Sequence, residues 1–453
     1  MFPSLDPCEA DERAIEELVE LMRSRTPAPA VRDNTRIPAG FTYLGQFIDH
    51  DITFDPVSQL ERQIDPRALV NFRTPRFDLD SVYGAGPAAQ PFLYDAKKPN
   101  PPGPKLLVGT PPANTSPAGV PLASEDLPRN QQGRALIGDP RNDENVIVGQ
   151  LHLLFIRFHN AVVRHLERKS PEGDLFEAAQ RTVRWHYQWI VMHEFLSKIV
   201  GEATAERVFA SSAGGKAPII NREHFKWRRE PFIPVEFSGA AYRFGHSMVR
   251  TAYGIKRSEG SNPLPAIPLF PDLEGLDWLP KKHVIDWERF FDLGTPRKPQ
   301  ASHPVDTTIV KALFSLPDGG KALPQLNLLR GRTLGLPSGQ DVAEAMGEDV
   351  LSAGELLLEN EQIHPAARKV LVRSTPLWYY ILREAAHRAE GKHLGPVGGR
   401  IVAEVLVGLL EGDPSSYLSK QPDWRPTELG PEGQKGKGDF TMADLVKFAR
   451  PSG

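Results

Sequence analysis

The sequence predicts a mainly α-helical protein, a single large helical domain with long connecting loops and very little β structure. Three observations lead there. Apolar residues recur at a spacing near 3.6 over Val146–Arg168 and Leu175–Val200, the two strongest helical signals in the chain. Strict apolar/polar alternation of the kind a half-buried strand shows is scarce. The 38 glycines and 43 prolines in 453 residues exceed ordinary usage, and they cluster as ordered loops between helices.

Taken in order, a first helix is expected from Glu9 to about Arg25, with Ile15, Leu18, Val19 and Met22 on one face. A Pro/Gly break then leads into Phe41–Thr53, read as helical. Nine prolines between Pro99 and Pro128 forbid a helix of any length, so this stretch reads as a surface excursion. After the two strong helices, further helices are expected at Ala240–Ala252, Gln340–Met346, Leu377–Glu390 and Gly399–Leu410. The Gly/Pro/Lys-rich tail Gly412–Asp439 ends in one short amphipathic stretch, Thr441–Phe448.

Composition bounds the function classes. With 40% hydrophobic and 25% charged residues the chain can bury a sizeable core. Its formal net charge of −3 gives no electrostatic footprint for nucleic acid. Cys8 is the single cysteine, so an intrachain disulfide and a cysteine-based metal site are both excluded. The N-terminus carries no basic-then-apolar leader, and no run approaches the ~18–20 apolar residues of a membrane span. A cytoplasmic location is the expectation, with non-classical export the alternative.

Four segments carry candidate chemistry. In Gly45-Gln-Phe-Ile-Asp-His-Asp51, Gln46 and His50 share a helix face and Asp49 and Asp51 flank the histidine. Phe47, Ile48, Ile52 and Phe54 suggest burial, and three buried ionisable groups are costly without a partner. Gly138-Asp-Pro-Arg-Asn-Asp-Glu144-Asn145 opens the helix holding His152 and His159, and by itself reads as acidic helix capping. Tyr242-Arg-Phe-Gly-His246 by itself reads as a core histidine. In Leu326-Asn327-Leu-Leu-Arg330-Gly-Arg332, a buried Asn327 would need hydrogen-bond partners.

Together, in this order, the four segments resemble the animal-type haem peroxidases of the peroxidase–cyclooxygenase superfamily, specifically a compact, microbial-type member. The resemblance runs from about Ile37 to Asp413, ending in Gly395-Pro396 and Leu409-Leu-Glu-Gly-Asp413. It implies residues 1–36 as an N-terminal helical extension, 37–413 as the peroxidase domain with haem between helices, and 414–453 as a tail packed on it.

The resemblance implies haem b with His246 as proximal iron ligand. Asn327 would fix its other ring nitrogen through the amide oxygen, and Arg243 and Arg330 would pair with the haem propionates. On the distal side it implies His50 as general base toward hydrogen peroxide, Arg141 as the stabiliser of developing negative charge, and Gln46 as a holder of water or a small anion. Asp49 and Glu144 occupy the positions of the family's haem esters. Asn145 stands where a subgroup has a methionine that forms a sulfonium link, so chloride oxidation is disfavoured against bromide, iodide, thiocyanate or phenols. Calcium is implied on Asp51, Thr74, the Arg76 carbonyl, Asp78 and Asp80.

The chain departs from the secreted animal enzymes in having no disulfides. Two other readings stand beside the peroxidase. A fatty-acid dioxygenase of the same superfamily would need a tyrosine three residues before His246, where this chain has Arg243; Tyr242 is four before, one ~100° α-helical step away. An inert haem- and calcium-stabilised scaffold would have no use for His50 and Arg141. The partners expected are hydrogen peroxide and a small electron donor.

Overall fold

The computed structural model describes residues 1–23, 33–54, 71–95, 103–169, 173–210, 217–256, 265–275, 277–317, 319–358, 363–429 and 438–450. The expected helix end at Arg25, the start of the proline run at Pro99 and part of the tail lie outside these. Among the described residues the chain is mainly helical, in chain order α1 (Glu12–Met22), α2 (Gly40–Ile52), α3 (Asp80–Tyr83), α4 (Val146–Glu167), α5 (Leu175–Ile190), α6 (Leu196–Val200), α7 (Glu202–Val208) and α8 (Val235–Gly239). The second half adds α9 (Leu323–Thr333), α10 (Gly339–Met346), α11 (Pro365–Leu371), α12 (Leu377–Arg388), α13 (Pro396–Gly412), α14 (Tyr417–Lys420) and α15 (Met442–Phe448).

The strands are short and pair two by two. β1 (Asn34–Pro38) pairs antiparallel with β6 (Ala301–Ser302), β2 (Phe209–Ala210) with β3 (Ile219–Ile220), and β4 (Ala252–Tyr253) with β5 (Ile267–Pro268).

α4 is the central element, packed on α2, α5 and α15. Asn145 caps it, its Oδ1 accepting from the amides of Ile147 and Val148 at 3.1 and 2.9 Å. Against the sequence expectation, α4 is long and apolar enough to cross a membrane, yet 94% of that window is buried inside the fold, as in a core helix. α2 is also buried nearly all round. Its first residue, Gly40, sits so close to the Phe290 carbonyl and the Phe291 ring that a Cβ would lie 2.6 Å from both. On α2 from Phe41 to His50 only Gln46 and Asp49 keep open surface, which marks the face turned to the site.

Several elements differ from the sequence reading. The opening helix starts at Glu12, because the Asp11 carboxylate caps it by accepting from the Ala14 amide. The expected Leu175–Val200 helix is interrupted by a π-helical turn, Val191–Phe195, between α5 and α6. Ala240–Ala252 is not an α-helix: Ala241–Met248 is a 3₁₀ helix, entered from α8 and left toward β4. Its turns are tied down by Arg243 Nε to the Ser238 carbonyl (2.8 Å) and Ser247 Oγ to the Phe244 carbonyl (2.8 Å). A 3₁₀ run of this length is uncommon and tends to mark a functional position. α9 was not anticipated at all.

The proline-rich stretch runs over the surface as expected at residues 112–119, which are exposed but for residue 116, and is docked at both ends. The Asn160 amide of α4 bonds both the N–H and the carbonyl of Leu106 at 2.8 Å, and His159 Nε2 is 2.8 Å from the Pro104 carbonyl. Leu106, Ala123 and Leu127 are buried. Phe2, Leu18 and Met22 at the N-terminus and Phe440 and Leu445 near the C-terminus join the same hydrophobic core as α4 and α13.

Candidate active site

α2 and the 3₁₀ turn Pro140–Asp143 bring the first group together. His50 is buried, with Nδ1 2.8 Å from Oδ1 of Asn142, while Nε2 has no partner among the described residues. Burial first, then the Arg141 charge, pushes His50 down to about 4, against the pull of Asp49, Asp139 and the Asn142 bond. It is therefore a neutral imidazole at ordinary pH. Asn142 was missed by sequence reasoning. Its Nδ2 lies 3.1 Å from Nδ1 of His152, so one amide joins two buried histidines.

Arg141 is next to His50, and its guanidinium is held by the protein. Its guanidinium bonds Asp139 (Nη2–Oδ2 2.8 Å, Nε–Oδ1 3.1 Å), the His50 carbonyl (3.2 Å) and the Thr53 carbonyl. The last turn of α2 leaves those carbonyls without helical partners, and a cation there satisfies them. Burial would raise Asp139, but its bond to Arg141 and the charges of Arg141 and His50, with the bond to Arg73, hold it at about 2. The Asn142–Asp143 end of the turn is pinned by Arg129, which grips the Asp143 carboxylate at 2.6 and 2.7 Å. Arg129 directly follows the proline-rich stretch.

Gln46 Nε2 donates to Glu144 Oε1, and Gln46 Oε1 accepts from Asn145 Nδ2 at 3.3 Å. Glu144 keeps open surface on the side that faces Gln46. Burial and then the charges of Asp139 and Asp49 raise it to about 7, against Arg141 and the Gln46 bond. Asp49 accepts from Thr53 Oγ1 at 3.2 Å.

The second group lies on the 3₁₀ turn and α9. His246 Nδ1 is 2.8 Å from Asn327, and its Nε2 has no partner among the described residues. Burial, then Arg243, then Arg330 push His246 to about 3, so it too is neutral. The amide presents Nδ2 to His246 rather than Oδ1, which takes Arg243 Nη1 at 3.4 Å. The expectation of an accepting oxygen is thus not met; a half-turn of the amide exchanges the two atoms without moving the pair. Arg243 is bonded to Asn327 and Ser238 rather than reaching outward, and burial, then Arg330, lower it to about 10. Asp49 on α2 exerts its charge on both Arg243 and Tyr242, so the two groups face one another. The Tyr242 hydroxyl is buried with no hydrogen-bond partner among the described residues; on the 3₁₀ turn it is Arg243, three residues before His246, that eclipses the histidine, and Tyr242 lies one 3₁₀ step of ~120° away.

The third group is a carboxylate trio. Asp51, Asp78 and Asp80 bring ligand atoms within 4.8 Å of one another. Asp51 is fully buried and accepts from the Leu79 amide (3.2 Å) and Ser81 Oγ (3.1 Å). Burial, then Asp78, then Asp80 push it well above the usual carboxylate range. Leu79, between Asp78 and Asp80, takes a left-handed conformation, φ 56°, uncommon for a leucine and typical of a functional constraint. Thr74 Oγ1 bonds Asp78 at 2.7 Å, one step from the trio, whereas the Arg76 side chain bears on Asp413. Arg73 ties this group to the first, bonding Asp80 at 3.2 Å and Asp139 at 2.8 Å.

A sequence model described as animal haem peroxidase matches residues 57–373, leaving Gly45–Asp51 just outside. The chorion peroxidase of Drosophila melanogaster is 28% identical over 312 residues, 66% of this chain and 37% of that protein. The thyroid peroxidase of Rattus norvegicus is 25% identical over 369 residues, 77% of this chain and 39% of that protein. The chain thus spans well under half the length of these curated relatives. Among solved structures, peroxidase A from Dictyostelium discoideum covers 98% of this chain and 88% of its own, at TM-score 0.59 and 17% identity. An Oryza sativa fatty acid alpha-dioxygenase covers 98% and 78%, at TM-score 0.61 and 15% identity. These two show the shared fold alone.

Proposed function

The chain belongs to the animal haem peroxidase family, and on that premise we propose that it is a peroxidase, reducing hydrogen peroxide and oxidising a small donor in the cavity between α2 and the His246 turn. The observation that carries this reading is a pair of neutral histidines. Each has Nδ1 held by an asparagine amide at 2.8 Å, and each has Nε2 without a partner among the described residues. The donor set fits haem b: an imidazole lone pair at His246, two guanidinium groups beside it, and the carboxyls of Asp49 and Glu144 opposite.

Bound haem supplies the iron that takes up the oxidising equivalents of peroxide. The chain supplies the rest. With the Asn327 amide turned so that Oδ1 accepts from Nδ1–H, His246 would offer the Nε2 lone pair as ligand, and Arg243 and Arg330 would provide positive charge for the propionates. Asn142 Oδ1 accepts from Nδ1–H of His50, so the lone pair sits on Nε2, where it takes the proton of one peroxide oxygen and returns it to the leaving one. Arg141 contributes positive charge beside His50, and its reach is set by how firmly Asp139 holds it. Asp49 and Glu144 are the groups for ester linkage; Glu144, held at about 7, is substantially protonated near neutrality.

Calcium is part of the same reading. Three crowded carboxylates, one of them fully buried, call for a divalent cation with oxygen ligands. Donors are bromide, iodide, thiocyanate or phenols. Asn145, engaged with Gln46 and the α4 amides, leaves no sulfonium link to strengthen the oxidant toward chloride.

The buried Tyr242 hydroxyl favours the dioxygenase as second reading. The deciding experiment is an absorption spectrum with peroxide titration on the purified protein, followed by iodide and guaiacol oxidation. A Soret band and peroxide-dependent turnover are expected. Oxygen uptake with linoleate in place of turnover would transfer the assignment to the dioxygenase, and absence of haem binding would overturn both.

A further inference from the structure

We propose that Trp185, Trp189, Trp424 and Tyr417 form a second oxidation site at the protein surface, for aromatic one-electron donors too large to enter the cavity. This rests on the peroxidase reading, whose reaction supplies the oxidising equivalents.

The rings form one connected set. Trp189 lies 5.9 Å from Trp424 and 5.8 Å from Tyr417; Trp424 lies 5.4 Å from Trp185 and 5.6 Å from Tyr417. Trp189 and Tyr417 are buried, whereas Trp185 and Trp424 keep open surface, so the set runs from the interior to solvent. Packing alone would be served by phenylalanine or leucine. Indole and phenol are instead the aromatic side chains that give up an electron most readily, on condition that a neighbour takes the proton.

The inner members have such neighbours. Trp189 Nε1 donates to the Asp439 carboxylate at 3.1 Å, and the Tyr417 hydroxyl is 3.4 Å from His193 Nε2. Burial keeps His193 low, at about 4, and therefore neutral and able to accept a proton. His193 stacks on Trp189 at 3.7 Å and 18°, and it sits in the π-helical turn Val191–Phe195, an irregularity that clusters at functional positions. Arg425 lies 5.4 Å over Trp189 and disfavours a cationic ring, so oxidation there must shed the proton toward Asp439.

The link inward is α5 itself. Between Trp185 and Trp189 it carries Tyr187, whose ring is 6.3 Å from Phe47, the residue after Gln46 on α2. An electron passes from Trp189 through Tyr187 toward the cavity, and the Nε1 proton moves to Asp439. Trp424 then refills Trp189, the proton returns, and a donor refills Trp424. Two donors each lose one electron, and peroxide with two protons becomes two waters.

The test uses the holoenzyme, with dextran-coupled tyramine as the excluded donor and iodide as the small one. Trp424→Phe and Trp189→Phe should each lose about tenfold or more of the rate on the polymer while keeping iodide oxidation. A spin trap added with peroxide should mark the Trp424 peptide by mass spectrometry in the wild type and not in Trp424→Phe. Unchanged polymer oxidation in both variants, with the trap elsewhere, would overturn the surface site and leave the peroxidase reading intact. Absence of iodide oxidation in the wild type would overturn both.

Discussion

Nδ1 of His50 and Oδ1 of Asn142 are 2.8 Å apart, and this bond decides which nitrogen of the imidazole is left as a base. An amide oxygen can only accept, so Nδ1 carries the proton and Nε2 the lone pair. The orientation of the amide is set in turn by His152, a buried histidine lowered to about 3, whose Nδ1 takes the amide N–H at 3.1 Å.

Asn142→Leu should slow the reaction with peroxide by about 10- to 100-fold, within what general acid–base catalysis contributes. Asn142→Asp keeps an acceptor and should retain most of the rate. Stopped-flow measurement of both variants, with thermal melting as the control for folding, checks this. Equal rates in Asn142→Leu and wild type would remove the positioning role.

His50→Ala should cost about 10²–10⁴-fold in the same rate. The pH profile is the sharper test. Because burial and Arg141 lower His50 to about 4, its neutral form persists from neutrality down to that value. The rate should stay level to about pH 4 and fall below it; a break near 6.5 would contradict the environment assigned to the ring.

Chelation should destabilise the protein more at pH 7.5 than at pH 5. Asp51 is raised by burial, then Asp78 and Asp80, and Asp80 is raised to about 6 by burial and Asp78. Groups raised on folding bind protons more tightly in the native state, so the ion-free fold loses stability as pH climbs from the unfolded carboxylate value through 6. Calcium offsets that repulsion. Melting temperatures with and without EDTA at the two pH values decide it, and Asp51→Asn should abolish the EDTA effect.

After peroxide turnover, acid–organic extraction should leave haem on the wild-type chain. Asp49→Asn combined with Glu144→Gln should release all of it, and each single variant should retain one link. Free haem b from the wild type would remove both residues from this role.

The long helices and the order of the site segments were legible because each rests on local pattern. A 3.6 spacing identified α4 and the whole of α5, without showing the π-helical turn that separates α5 from α6. The rest depended on tertiary placement. Asn142 sits in Pro-Arg-Asn-Asp, which reads as a helix cap until folding brings His50 and His152 to either side. The eight residues Ala241–Met248 are too few to separate a 3.0 from a 3.6 repeat. α9 buries Leu326, Asn327 and Leu328 in succession rather than at a 3.6 spacing, so it shows no apolar stripe. Arg141 could be matched to a role, but its grip on Asp139 and the α2 carbonyls is visible only in three dimensions.

The docking of the proline-rich stretch on α4 has a consequence for how the molecule comes apart. A loop with so many prolines is ordinarily an early target for proteases. Here Asn160 holds both backbone groups of Leu106, and His159 bridges the Pro104 carbonyl and the Tyr83 hydroxyl beside the carboxylate trio. Cleavage beside Leu106 therefore awaits the opening of the central helix, and nicking at that bond becomes a clock for global unfolding, whereas the exposed residues 112–119 farther along remain open to cleavage in the folded state.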